Sequence, residues 1–188
     1  YIMQAYSGFA RANGAPGDEL EAFRFTGFLD LTTASVATEA VLAALLEREA
    51  TGEGQKVEVS MLEAAFEIQF TRIAESLGAG LTPRPRGSES PGIVPDRAFR
   101  TLDQEVFVTA HDDAEWAGFC AALDRPELAR DARFASNVLR VEHREALNAK
   151  VEPVFLTRPA IWWLRALQRH GVPCGLAYNF ETFRHHQQ

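Results

Sequence analysis

Between residues 36 and 45, Val36, Ala37, Ala40, Val41, Ala44 and Leu45 recur three and four positions apart, so they share one face of a helix. Most of them are small, which lets a neighbouring element approach closely. The pattern opens at Asp30 and closes at Gly52, a residue type that takes the left-handed conformation ending many helices; Arg48 lies in the last turn. "KVEVS", residues 56 to 60, then alternates and predicts a half-buried strand with Val57 and Val59 on one face. Ser60 and Glu63 have the spacing of a capping box. They predict a second helix with Met61, Leu62, Ala65, Phe66 and Ile73 among its apolar positions. The first 26 residues carry Gly8, Gly14, Pro16 and Gly17 without such a period and read as irregular connection.

The pattern breaks over "GAGLTPRPRGSESPGIVPD", residues 78 to 96, which is dense in Gly, Pro and Ser. A domain boundary is expected there, giving a first portion over 1–80, a linker over 81–96 and a second domain over 97–188. Beyond the break, "RAFRTLDQEVFVTA" reads as a β-hairpin turning at Asp103-Gln104, with Phe99, Val106 and Val108 alternating. Helices are expected near 113–123, 139–156 and 159–170, the last with Pro159 at its start and Gly171 as its stop. "VPCGLAYNF" returns as a short strand.

The totals of 188 residues, 46% hydrophobic and 24% charged, fit one to one and a half ordinary globular domains. A formal charge of −7 argues against nucleic-acid and polybasic membrane surfaces, so an anionic ligand must be met by local positive groups. Those are mostly arginines, since Lys56 and Lys150 are the only lysines. Cys120 and Cys174 lie far apart without a CxxC spacing, so neither a disulfide framework nor a zinc site is indicated and a cytoplasmic setting is the expectation. Both read as small buried hydrophobes. No stretch reads as a membrane span, and "YIMQAYSGF" has no signal-peptide pattern. Tyr1 in place of an initiator Met reads as a stretch of a longer chain.

Several polar groups invite a chemical reading. His111-Asp112-Asp113 sits where a strand gives way to a helix, so its aspartates read as caps and His111 as a surface residue. His185 and His186 have no companion ligand spacing. Trp116, Trp162 and Trp163 fall on predicted helices and read as core or interface packing. Asp30 is different. A carboxylate at a helix N-terminus is either a cap or a functional group, and a carboxylate tied up as a cap is a poorer attacking group.

The run from Asp30 through "LAALLEREATGEGQKVEVSMLEA" resembles the class III CoA-transferase (CaiB/BaiF) family, whose motif is an Asp, a helix ending in AL-x-x-R, then TG-x-GQ-x-V and S-x-x-x-A. "MQAYSGF" upstream is similar to the family's QA-x-SG segment. Downstream, "RPELARDARF", "RVEHREAL" and "GVPCGLAYNF" are similar to further family runs in the same order, with Leu176 where the family usually has Pro. The resemblance implies an α/β fold: the helix and strand portion of a large domain, a linker, and a small α+β domain, in full-length relatives an interlocked homodimer. It also implies a preceding Rossmann-like segment that makes most coenzyme A contacts.

By this resemblance Asp30 is the catalytic nucleophile of a transferase that moves coenzyme A from an acyl-CoA to a carboxylic acid through an aspartyl-CoA intermediate. The partners implied are the two substrates and a second copy of the chain. Coenzyme A thioester enters as substrate and no resident cofactor or metal is implied. Gln4, by its motif position, is implied to line the substrate pocket, with an exposed loop glutamine as the plain alternative. Gly87 is implied to belong to a loop closing over the intermediate, although "PRPRGSESPG" keeps only Gly87 and Gly92 of a glycine run; an ordinary turn glycine is its alternative. Two other functions stay open: a 2-methylacyl-CoA racemase of the same family, with Asp30 moving a proton, and an inactive dimerisation module.

Overall fold

In the computed structural model, which describes residues 1–17, 21–23 and 26–179, the stretch expected to be irregular contains two short helices, α1 (Ile2–Tyr6) and α2 (Phe9–Ala12). Gly8, at φ 81°, makes the sharp join between them. A single turn is too short for its apolar period to show in sequence, which is why both escaped the reading. The long helix α3 (Phe28–Thr51) starts two residues before Asp30, with Gly27 as N-cap. Gly52 ends it as expected, taking φ 77° and donating its N–H to Arg48 O at 2.8 Å.

Residues 56 to 60 differ from expectation. Val57 and Val59 are half-buried and Glu58 is exposed, so the alternation is present, yet the segment pairs with no strand among the described residues. Alternation specifies which side chains face inward; a strand also needs a partner for its backbone groups. Helix α4 (Met61–Ile68) opens as the capping spacing requires, Ser60 Oγ accepting the Glu63 N–H at 3.3 Å. The single helix expected through Ile73 is interrupted at Gln69, after which α5 (Phe70–Ala79) continues. Gln69 is buried and its Nε2 donates to Ala65 O at 2.9 Å and Ser7 O at 3.5 Å, fastening the break to the turn after α1. The first unit, Tyr1–Gly87, packs α1 and α3 on α4 around the small buried residues Ala10, Ala64 and Ala65 and the larger Leu29.

One exclusion made from sequence needs correcting. By its 24 residues, and by a mean hydropathy of 1.5 over its most apolar 18, α3 is long and apolar enough to cross a membrane. It carries Glu39 at mid-length, however, and a carboxylate at the bilayer centre costs on the order of 3 kcal/mol. Its stripe of alanines suits contact with protein.

The second unit, Ser88–Gln188, holds an antiparallel sheet of β1 (Asp96–Arg100), β2 (Glu105–Thr109) and β3 (Cys174–Leu176), in that spatial order. Phe99 lies opposite Val106 and both are buried with Val108, as the alternation predicts. At the hairpin turn Asp103 accepts hydrogen bonds from Thr101 Oγ1 at 2.9 Å and from the Ala160 N–H at 2.8 Å. The Ala160 N–H is the main reason its carboxyl is held below the usual range, and it ties the turn to the start of α10 (Ala160–Arg169).

Helix α6 (Asp113–Ala122) is capped by Asp112, whose carboxylate accepts the Glu115 N–H at 2.8 Å. Next come α7 (Pro126–Arg130) and a 3-10 turn over Ala132–Phe134, both missed for the same reason as α1. The helix expected over 139–156 is two, α8 (Asn137–Glu142) and α9 (Arg144–Phe155), meeting at His143. These elements enclose an aromatic core of Phe99, Trp116, Phe119, Phe134, Phe155 and Trp163. Trp162 does not join it: it is exposed, with the Arg158 guanidinium 5.4 Å above its ring.

Helix α6 sits so close to the residue after α10 that a Cβ on Gly118 would lie 2.2 Å from His170 O and 3.1 Å from Val172 Cγ2. The nearest obstacle is backbone, so relief requires a helix to shift. Gly118→Ala is expected to cost about 1–3 kcal/mol of stability, read as a lower urea midpoint.

The segment from Ser88 to Val94 has little regular structure, yet it is held firmly from α8 and α9. Asn137 accepts the Val94 N–H at 3.0 Å and donates to Gly92 O at 2.7 Å. Arg140, fully buried, donates to Val94 O at 2.8 Å and Phe134 O at 3.1 Å while its guanidinium lies over Trp116. Burial lowers its pKa from the ordinary arginine value. Arg144 reaches Ser90 O and Pro91 O at 2.9 and 2.7 Å and pairs with Glu89 at 3.1 Å; Asn148 donates to the same Glu89 at 2.9 Å. The four side chains are spaced by three and four residues and so share one side of the helix pair.

Candidate active site

Asp30 is the third residue of α3, inside its first turn. The two residues before it are anchors. Leu29 is buried, and the Phe28 ring lies 4.8 Å from that of Phe9 and 5.6 Å, edge-on, from that of Phe23. Thr32 Oγ1 and Thr33 Oγ1 donate to Phe28 O and Leu29 O at 2.8 and 2.6 Å, so the carbonyls of this turn carry additional bonds. The Asp30 side chain itself is exposed. It is not the cap, since Gly27 holds that position, and its carboxylate takes part in no hydrogen bond or ion pair among the described residues. The result is a carboxylate with no partner among the described residues, carried on a fixed backbone.

Gly27 gives that carboxylate its room. A Cβ at this position would stand 2.8 Å from Asp30 Oδ2. The sequence reading missed Gly27, although a glycine three residues before the acid was the available signal. Because the obstacle is the end of a side chain, Gly27→Ala is expected to rotate Asp30 and leave the helix folded. If Asp30 is the nucleophile that the family resemblance implies, its reactivity toward an acyl-CoA should fall about tenfold to a hundredfold in this variant, with helix content by circular dichroism unchanged.

Gln4 is neither exposed nor in a loop. It lies on α1, only 3% exposed, and its amide is engaged twice by one residue: Nε2 donates to Phe23 O at 2.9 Å and Oε1 accepts the Phe23 N–H at 2.7 Å. Gly87 takes φ 61°, donates its N–H to Gly14 O at 2.7 Å, and would place a Cβ 3.6 Å from Pro16, which is the conformation of a turn glycine. Thus Gln4 is linked through Phe23 and Phe28 to the first turn of α3, whereas Gly87 is tied to the Gly14–Pro16 turn.

The remaining candidates divide plainly. His111 is exposed, with its backbone N–H donated to Glu115 at 2.6 Å. No cluster suited to a metal ion occurs among the described residues. His185 and His186 lie outside the described residues. Cys120 is buried, which pushes its thiol up to about 12. Cys174 is half-buried, its thiol also raised by burial, and its Sγ lies 3.6 Å from Leu164 O. Neither supplies a thiolate at neutral pH.

The family model described as CoA-transferase family III matches residues 1–188. The chain belongs to CoA-transferase family III. Among curated relatives, an acyl-CoA transferase of Fusarium pseudograminearum is 33% identical over 86% of this chain and 36% of its own length. An acetyl-CoA:oxalate CoA-transferase of Acetobacter aceti is 29% identical over 93% of this chain and 45% of its own. The fold matches the crystal structure of a CaiB/BaiF family protein from Brucella suis with a TM-score of 0.82 and 25% identity, covering 98% of this chain and 49% of that one. The chain therefore spans less than half the length of these family III relatives.

Proposed function

We propose that this family III chain carries the covalent aspartate of an acyl-CoA:carboxylate CoA-transferase. The observation that carries the reading is the Asp30 carboxylate, uncommitted among the described residues and held in the first turn of α3 in a chain of this family. Such a carboxylate attacks the thioester carbonyl of an acyl-CoA; the C–S bond breaks, giving a mixed anhydride and CoA thiolate. The thiolate then attacks the Asp30 carbonyl, releasing the first acid and leaving an aspartyl-CoA thioester. An acceptor carboxylate attacks that thioester, and the returning thiolate takes the acceptor's acyl group, so Asp30 is regenerated. Backbone N–H groups at the helix N-terminus are suited to the oxyanions that form along the way.

Coenzyme A thioester is a substrate here, and no resident cofactor or metal is called for. A second copy of the chain as partner, and a cytoplasmic setting, belong to the same proposal. The relatives named for oxalate and other acyl groups support the reaction class without fixing the acid that this protein accepts.

The test uses the full-length protein, incubated with acyl-CoA and quenched with hydroxylamine, which converts an activated carboxyl into a hydroxamate. Peptide mass spectrometry should find the label on Asp30. An unlabelled Asp30 in an active protein, together with solvent deuterium entering the α-carbon of the acyl group, would replace transfer by proton abstraction.

A further inference from the structure

We infer that Gln4 is a positioning residue for Asp30, acting from outside the substrate pocket through Phe23 and Phe28. This rests on the proposed role of Asp30. The Gln4 amide closes a two-bond clamp on the backbone of Phe23, with both bonds below 3.0 Å and the side chain 3% exposed. A buried amide whose donor and acceptor both engage the backbone of one distant residue, and so the two peptide units that flank it, fixes that residue's position and orientation. The Phe23 ring, so placed, stands edge-on to Phe28 at 5.6 Å with the planes at 76°, while Phe9 closes on Phe28 from α2 at 4.8 Å. Phe28 is the first residue of α3, and Asp30 follows in the same turn.

The helix start needs such support because its N-cap, Gly27, offers no side chain to hold the first N–H groups. Glycine is there for clearance over Asp30 Oδ2. The job usually done by a capping side chain is done from α1 instead. Removing the clamp frees Phe23, loosens the ring contact on Phe28 and lets the first turn fray, so Asp30 spends less time in its attacking position.

The experiment compares Gln4→Ala and Gln4→Glu with wild type in the full-length protein. Two quantities are read: the rate of Asp30 hydroxamate labelling at saturating acyl-CoA, and amide hydrogen exchange in peptides covering residues 26 to 34. Gln4→Ala should label about tenfold to a hundredfold more slowly, exchange faster at those amides, and bind acyl-CoA within about twofold of wild type, because Gln4 touches backbone and not ligand. Gln4→Glu keeps the bond from the Phe23 N–H but, when ionised, turns a carboxylate oxygen toward Phe23 O; its labelling rate relative to wild type should rise as the pH falls and the restored O–H donates again. That recovery separates positioning from general loss of structure and keeps a result available if Gln4→Ala does not fold.

Wild-type labelling rates and exchange in both variants would overturn the inference, as would a main effect on acyl-CoA affinity, which would return Gln4 to the pocket. Failure of the transferase reading looks different: wild type itself is unlabelled, while the exchange difference at residues 26 to 34 still decides whether the clamp holds the helix start.

Discussion

Replacing Asp30 by asparagine should lower CoA transfer by the full-length protein about ten-thousandfold or more, the scale on which loss of a covalent nucleophile is felt. Asparagine preserves the volume and suits the first turn of a helix, so folding has no reason to change. On the proposed mechanism, what disappears is the anionic oxygen that opens the thioester, and an amide oxygen or nitrogen is no substitute for it. Acyl-CoA affinity should stay within about threefold, because a group that acts in the transition state contributes to kcat and little to binding. Asp30→Glu sharpens the point. It retains the charge but moves it by one methylene, and an error of about 1 Å in an attacking group costs on the order of a hundredfold. Steady-state transfer alongside equilibrium binding checks both; near-wild-type turnover in Asp30→Asn would remove Asp30 from the chemistry.

The largest loss of stability is expected from Phe155→Ala. Phe155 is fully buried and central to the second unit's core: its ring stacks on Phe99 at 4.4 Å with an 11° tilt, and lies 4.9 Å from Trp163 and 6.1 Å from Phe119. Its carbonyl accepts the buried Trp163 Nε1–H at 2.8 Å, so the backbone around it is pinned and cannot collapse into the space that the ring leaves. Loss of the apolar transfer energy plus a persistent cavity puts the cost at about 3–5 kcal/mol. Trp116, Trp162 and Trp163, the only tryptophans in the sequence, all belong to this unit, so selectively excited tryptophan fluorescence follows its unfolding apart from Tyr1 and Tyr6 of the first unit. The neighbouring Leu156 is 51% exposed. Leu156→Ala should change the urea midpoint by no more than about 0.5 kcal/mol equivalent and serves as the control.

What the sequence could tell follows from how local each signal is. Gly52, the Ser60 cap, the Asp112 cap and the alternating hairpin are decided by neighbours within a few residues, and each stands where the pattern puts it. The helix breaks at Gln69 and His143 were not readable. The Gln69 break is held by a bond to Ser7, 62 residues away, and no window of ordinary length contains both ends of such a contact. The candidate site divides the same way. Asp30 was visible from its motif; Gly27 was three residues from it and could have been seen. The Gln4 clamp on Phe23 joins residues 19 apart through backbone atoms, which carry no residue identity to read.

The four side chains Asn137, Arg140, Arg144 and Asn148 act as a ruler laid along the segment from Ser88 to Val94. A ruler tolerates altered residues more readily than an altered count. Inserting or deleting one residue between Ser88 and Val94 would slide every later carbonyl out of register with its partner and strand the buried Arg140. The residues from 81 to 86, with Pro83 and Pro85 among them, answer to no comparable set of side chains among the described residues. Length variation within the family should accordingly accumulate before Gly87 and be nearly absent in the seven residues that follow it.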